Sequence, residues 1–207
     1  MTRAPLFERF AGLAAILVGL GGLAYAALFV WIVAGSPAWV LKAWFALLLG
    51  GALLTTAVAA GLYMRLHDVE RGFALWGALL GVLGALDGIL HGATNLFRLL
   101  NPDVSGPGEV VTAGVLRYGV AGIALMVFGW LIARSLSMPR PLGMLSGFAG
   151  AILVVIFFGR LFQFVTPDVK ASLIPPVLYG LLLHPILYVW LGLELRRIPR
   201  PESSPAP

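Results

Sequence analysis

Apolar residues run through the chain in six long blocks, about 10–34, 39–65, 72–100, 110–134, 142–166 and 174–195. Short turn-forming or charged stretches separate them: "GSP" from Gly35, "RLHDVERG" from Arg65, "NPDVSGPGE" from Asn101, "SMPRP" from Ser137 and "TPDVKASLIPP" from Thr166. Each block meets or exceeds the ~20 residues that a helix needs to cross ~30 Å of hydrocarbon. The pattern predicts an all-α fold: one polytopic membrane domain over 1–197 with six transmembrane helices. The remaining residues, 198–207, are polar and rich in proline, the composition of a disordered tail. Basic residues precede the first apolar block, which is far longer than a signal-peptide core and therefore reads as an uncleaved first helix.

Composition sharpens this picture. The 207 residues are 60% hydrophobic and only 11% charged, with a mean hydropathy of +0.97, whereas a soluble domain is nearer ~25% charged. The 26 glycines suit close packing of membrane helices, where small residues let backbones approach. The lack of cysteine excludes disulfides, thiolate metal sites and cysteine nucleophiles. The net charge of +5 does not point to nucleic acid, because the arginines cluster at span ends. Arg3, Arg9, Arg65, Arg71, Arg134, Arg140, Arg196, Arg197 and Arg200 fall on one side with both termini. The opposite loops carry Asp103, Glu109 and Asp168 against Lys170, with Lys42 just inside the second span. The positive-inside rule then places both termini in the cytoplasm. Trp31 and Trp39 fall at the outer boundary, and Trp76, Trp130 and Trp190 near the inner one. A short likeness between "AGLAAILVGLGGL" and "AGVLRYGVAGIAL" is of the kind that glycine- and alanine-rich spans produce by chance, and no inverted repeat is inferred.

The chemistry concentrates on the third span, in "DGILHGATNLFRLLNP" from Asp87. At ~100° per residue, Asp87, His91, Thr94, Asn95 and Arg98 share one helix face, beside a small-residue stripe of Gly84, Gly88 and Gly92. That face is expected to point into the bundle. At ~1.5 Å per residue, His91 lies ~14 Å and Asp87 ~20 Å below the outer end of the helix. An ionised carboxylate at that depth costs ~3 kcal/mol even on lenient scales, so Asp87 must be protonated, hydrated or met by a cation. Arg117, Arg160, Gln163 and His184 lie at compatible depths on the fourth, fifth and sixth spans. Pro185 should open the backbone beside His184. The outer half is thus expected to hold a polar set of Asp87, His91, Asn95, Arg98, Arg117, Arg160, Gln163 and His184, with no comparable set in the inner half. The alternative is a purely structural network of interhelical hydrogen bonds and snorkelling arginines. Tyr118 and Lys42 read as interfacial anchors, and His67 as a solvated loop residue.

The closing stretch "HPILYVWLGLEL", with "RFAGLAAILVGLGGL" near the start and His91-Gly92 ahead of Asn101-Pro102, resembles a group of uncharacterised bacterial multi-helix membrane proteins. The resemblance implies a six- to seven-helix protein of the bacterial inner membrane and carries no reaction or catalytic residue.

Four functions fit these residues. The preferred one is a non-enzymatic protein with an outward-facing, arginine-rich pocket that binds or transports a small anionic or lipid-like ligand, since arginine presents forked donors to such groups. No cofactor is needed, membrane lipids are the expected partners, and the oligomeric state stays open. The second is a b-type haem protein with His91 and His184 as axial ligands. The third is an intramembrane enzyme using Asp87 and His91 as an acid–base pair one turn apart. The fourth is a proton path through the same two residues.

Overall fold

Proline and glycine set where the first helices begin and end. In the computed structural model, which describes residues 5–103, 115–162 and 176–197, Pro5 and Pro37 stand at the N-caps of α1 (Leu6–Val33) and α2 (Ala38–Leu66). A proline there loses no helical hydrogen bond. Gly35 turns the chain between them with φ +92°, a conformation that glycine adopts without strain. The third helix, α3 (Arg71–Leu100), is capped by Glu70, whose carboxylate accepts the Phe73 N–H at 2.6 Å. Then follow α4 (Val115–Arg134), α5 (Arg140–Leu161) and α6 (Pro176–Arg196). All six are long and apolar enough to cross a membrane. They match the six predicted spans, with α1 beginning four residues earlier than position 10 and α5 followed to Leu161.

Two of these helices are locally underwound in the π sense: α4 over Val115–Val120 and α6 over Tyr179–Leu183. The second segment ends directly before His184-Pro185. Pro185 has no N–H to donate and its ring crowds the preceding turn, so the wider winding takes up the opening predicted there.

Small residues decide which helices touch. α1 crosses α6 where Gly12 faces Gly192: a Cβ on Gly12 would lie 2.7 Å from the Gly192 carbonyl oxygen. α4 crosses α5 at Gly129, where a Cβ would come within 2.7 Å of the Gly143 oxygen. The buried Ser146 hydroxyl bonds the Leu125 carbonyl across this second crossing at 2.9 Å. The α3 stripe packs as predicted. Gly84 faces Ala121 of α4, while Gly88 and Gly92 face Ala52 and Leu49 of α2.

The tightest apolar core lies towards the arginine-rich end, where Leu66, Leu131, Ile132, Leu142, Leu187 and Leu195 are fully buried. Around the bundle, large apolar side chains such as Leu20, Leu79, Val155 and Leu182 remain exposed, far more than a water-soluble surface carries.

The half of the bundle that carries the chain ends, expected to be the inner one, also holds a buried ionic cluster, which corrects the expectation that it has none. Arg65 at the end of α2 donates from Nε to Glu8 of α1 at 2.7 Å and from Nη2 to the Leu195 and Arg197 carbonyls at 3.0 Å each. Glu194, buried nearby on α6, accepts from Trp190 and Arg197. A buried charge pair is tolerable only when its remaining donors are also satisfied, and here two carbonyls take up the guanidinium.

Candidate functional site

Above this core the helices part around a cavity of about 520 Å³, within the usual range for small-molecule sites. All six helices contribute to its wall. Most of the lining is apolar, from Val18 and Ala26 on α1 through Leu48 and Ala52 on α2 to Leu153 and Ile156 on α5. Gly21 and Gly51 also line it, and a Cβ added at either meets nothing within 4 Å. Unlike the glycines at the crossings, these two leave space that no described neighbour fills.

Polar groups gather on part of this wall. The π segment of α4 brings Arg117 and Tyr118 to the cavity. Arg117 Nε stands 3.0 Å from Asp87 Oδ2 of α3. Of the three ways to accommodate Asp87 at this depth, the molecule uses a cation. The Nε–H is not aligned for a hydrogen bond to a described residue, so the contact is chiefly coulombic. Arg117 lines the cavity and Asp87 lies behind it. An anion placed ~4 Å from the guanidinium would gain about 4 kcal/mol at an effective dielectric of about 20, and would lose about 2 kcal/mol of that to Asp87 at ~7 Å.

His91, one turn beyond Asp87 on α3, lines the cavity, its ring 5.5 Å from that of the buried Phe45. Tyr25 stacks on Trp44 with ring centres 4.7 Å apart, and both face the cavity. The indole Nε1 is buried without a hydrogen-bond partner among the described residues.

The π segment of α6 brings Tyr179 to the wall and leads into His184. His184 stacks on Tyr188 at 4.5 Å, and its ring fills the place where Gly22 of α1 has no side chain. Its Nδ1 has no partner among the described residues.

Four of the predicted site residues therefore form one locality: Asp87, His91, Arg117 and His184. Asn95 turns its amide back to the His91 carbonyl of its own helix at 2.9 Å. Neither Asn95 nor Arg98 contributes to the cavity wall. The Arg160 side chain and Gln163 lie outside the described residues. Arg117 is the arginine that the cavity meets among the described residues, so three arginines are not seen to converge. Tyr118, expected as an interfacial anchor, belongs to the cavity wall instead. Tyr25, Trp44, Tyr179 and Tyr188 escaped the sequence reading, which looked for charge and imidazole. Tyr25 and Tyr188 stand well inside their spans, a signal that could have been read, whereas Trp44 and Tyr179 lie within two turns of a span end and look like boundary aromatics. His67 does sit in the loop after α2, half-exposed, 3.1 Å from Asp68.

No protein-family model, curated protein or solved structure matches this chain. Among the described residues, no three His, Asp or Glu side chains come together as a metal site.

Proposed function

We propose that this chain is a multi-pass protein of the bacterial inner membrane, with both termini cytoplasmic, that holds a lipid-like ligand in its central cavity. It binds or carries that ligand rather than transforming it. The observation that carries the reading is the cavity itself: an apolar chamber among six membrane-length helices, with Arg117, His91, Tyr25 and Trp44 on its wall. The exposed apolar girdle supports membrane insertion, and the grouping of Arg65, Arg134 and Arg197 at one end supports the orientation through the positive-inside rule.

A ligand drawn from lipid gains little from apolar walls, since acyl chains are already as apolar as leucine. Selectivity must therefore come from the polar wall and from the shape held open by Gly21 and Gly51. Gly51→Leu tests this directly, because a Cβ at that position meets no described neighbour within 4 Å and the longer side chain enters the chamber. Protein purified in mild detergent is extracted and its lipids are identified by mass spectrometry. The expected result is an apolar molecule enriched with the natural chain and missing from Gly51→Leu. Identical lipid profiles for the two would overturn the reading. His91 and His184 share the wall, so the same sample also decides the haem alternative. A Soret band lost on His184→Ala would replace lipid binding with haem ligation.

A further inference from the structure

We infer that the cavity takes a neutral amphiphile whose head is an oxygen acceptor, such as an ester, ketone or quinone, and that Asp87 is the residue that turns anionic heads away. The inference rests on the lipid-binding reading above and adds the head-group class.

Two observations lead there. Arg117 lines the cavity, and a guanidinium carries five N–H groups and no acceptor. Trp44, a donor only, adds a buried indole N–H without a partner among the described residues. The tyrosines and histidines of the wall can donate or accept, so these two donor-only groups tilt it toward an oxygen acceptor. Charge then selects among acceptors. Asp87 at 3.0 Å balances Arg117, and both side chains are largely withdrawn from solvent, at 12% and 26% exposure. The pair is neutral as a unit. A carboxylate or phosphate head would lose its hydration on entering and would meet Asp87 behind Arg117, so its attraction to the guanidinium is partly cancelled. A neutral carbonyl leaves less hydration behind and still receives the donated hydrogen bonds.

The test compares radiolabelled oleate with methyl oleate at pH 8. The two share one tail and differ in head charge. Each is equilibrated with the full-length protein in detergent, and bound label is counted after gel filtration, with Gly51→Leu as the filled-cavity background. The natural chain is expected to retain the ester at least tenfold over the acid. Asp87→Asn frees the positive charge of Arg117 and should raise oleate retention tenfold or more relative to the ester. The double variant Asp87→Asn/Arg117→Gln removes both charges and should restore preference for the ester, which guards against a folding defect in the single variant. Equal retention of acid and ester by the natural chain, or an unchanged ratio in Asp87→Asn, overturns the selectivity. Retention of neither probe above the Gly51→Leu background overturns the cavity-binding reading together with it.

Discussion

Glu8 and Arg65, 57 positions apart in sequence, meet in a buried ion pair that ties the first turn of α1 to the last turn of α2. Through the Leu195 and Arg197 carbonyls the same guanidinium holds the end of α6. Three helix ends thus depend on one side chain. Arg65→Ala would leave Glu8 buried and unpaired, with an expected loss of about 3–5 kcal/mol. The double variant Glu8→Leu/Arg65→Leu leaves no isolated charge and should recover most of that loss. Thermal unfolding in detergent, followed by tryptophan fluorescence, measures both. Additive losses in the double variant would contradict the pairing.

Glycines at crossings and glycines at the cavity should respond oppositely to the same substitution. Gly129→Ala pushes a methyl into the α5 backbone, and α4 and α5 must separate, so the melting temperature should fall. Gly51→Ala meets nothing and gains helix propensity, up to about 1 kcal/mol, so its melting temperature should hold or rise.

Gly22 and His184 make a second coupled pair. Gly22→Ala places a methyl where the imidazole ring lies and should lower stability. Adding His184→Ala removes the obstruction, so the double variant should be more stable than the two single losses predict. A double-mutant cycle measures the coupling, and simple additivity would mean that the ring moves aside without cost.

The cysteine-free sequence makes orientation easy to test. Asp68→Cys, exposed in the loop between α2 and α3, should react with an impermeant maleimide only after cells are opened. Ala34→Cys, exposed between α1 and α2, should react in intact cells. The reverse pattern would invert the topology.

The span count was legible because the length and apolarity of a helix are properties of each segment alone. The start of α1 was placed late because Glu8 and Arg9 look like the edge of a loop. The partner that lets Glu8 sit in a buried helix, Arg65, lies a whole helical hairpin away. The α3 stripe was legible from periodicity, and so was the need of Asp87 for a proton, water or a cation, since both follow from one helix; which of the three it meets depends on Arg117 of another helix. The cavity was not. Gly51 and Gly92 are the same letter in similar surroundings, yet one faces open space and the other faces Leu49. Only the arrangement of neighbouring helices separates them. The winding near Pro185 announced itself through the proline, whereas the matching segment at Arg117 has no such marker.

The core beneath the chamber has a consequence for traffic. Leu66, Leu131, Leu187 and Leu195 close the space below the cavity, and the Arg65 clamp binds three helix ends just beyond them. In this state the chamber is closed toward the arginine-rich end of the bundle. On the proposed reading, a guest would leave away from that end, and passing through it would require the clamp to let go first.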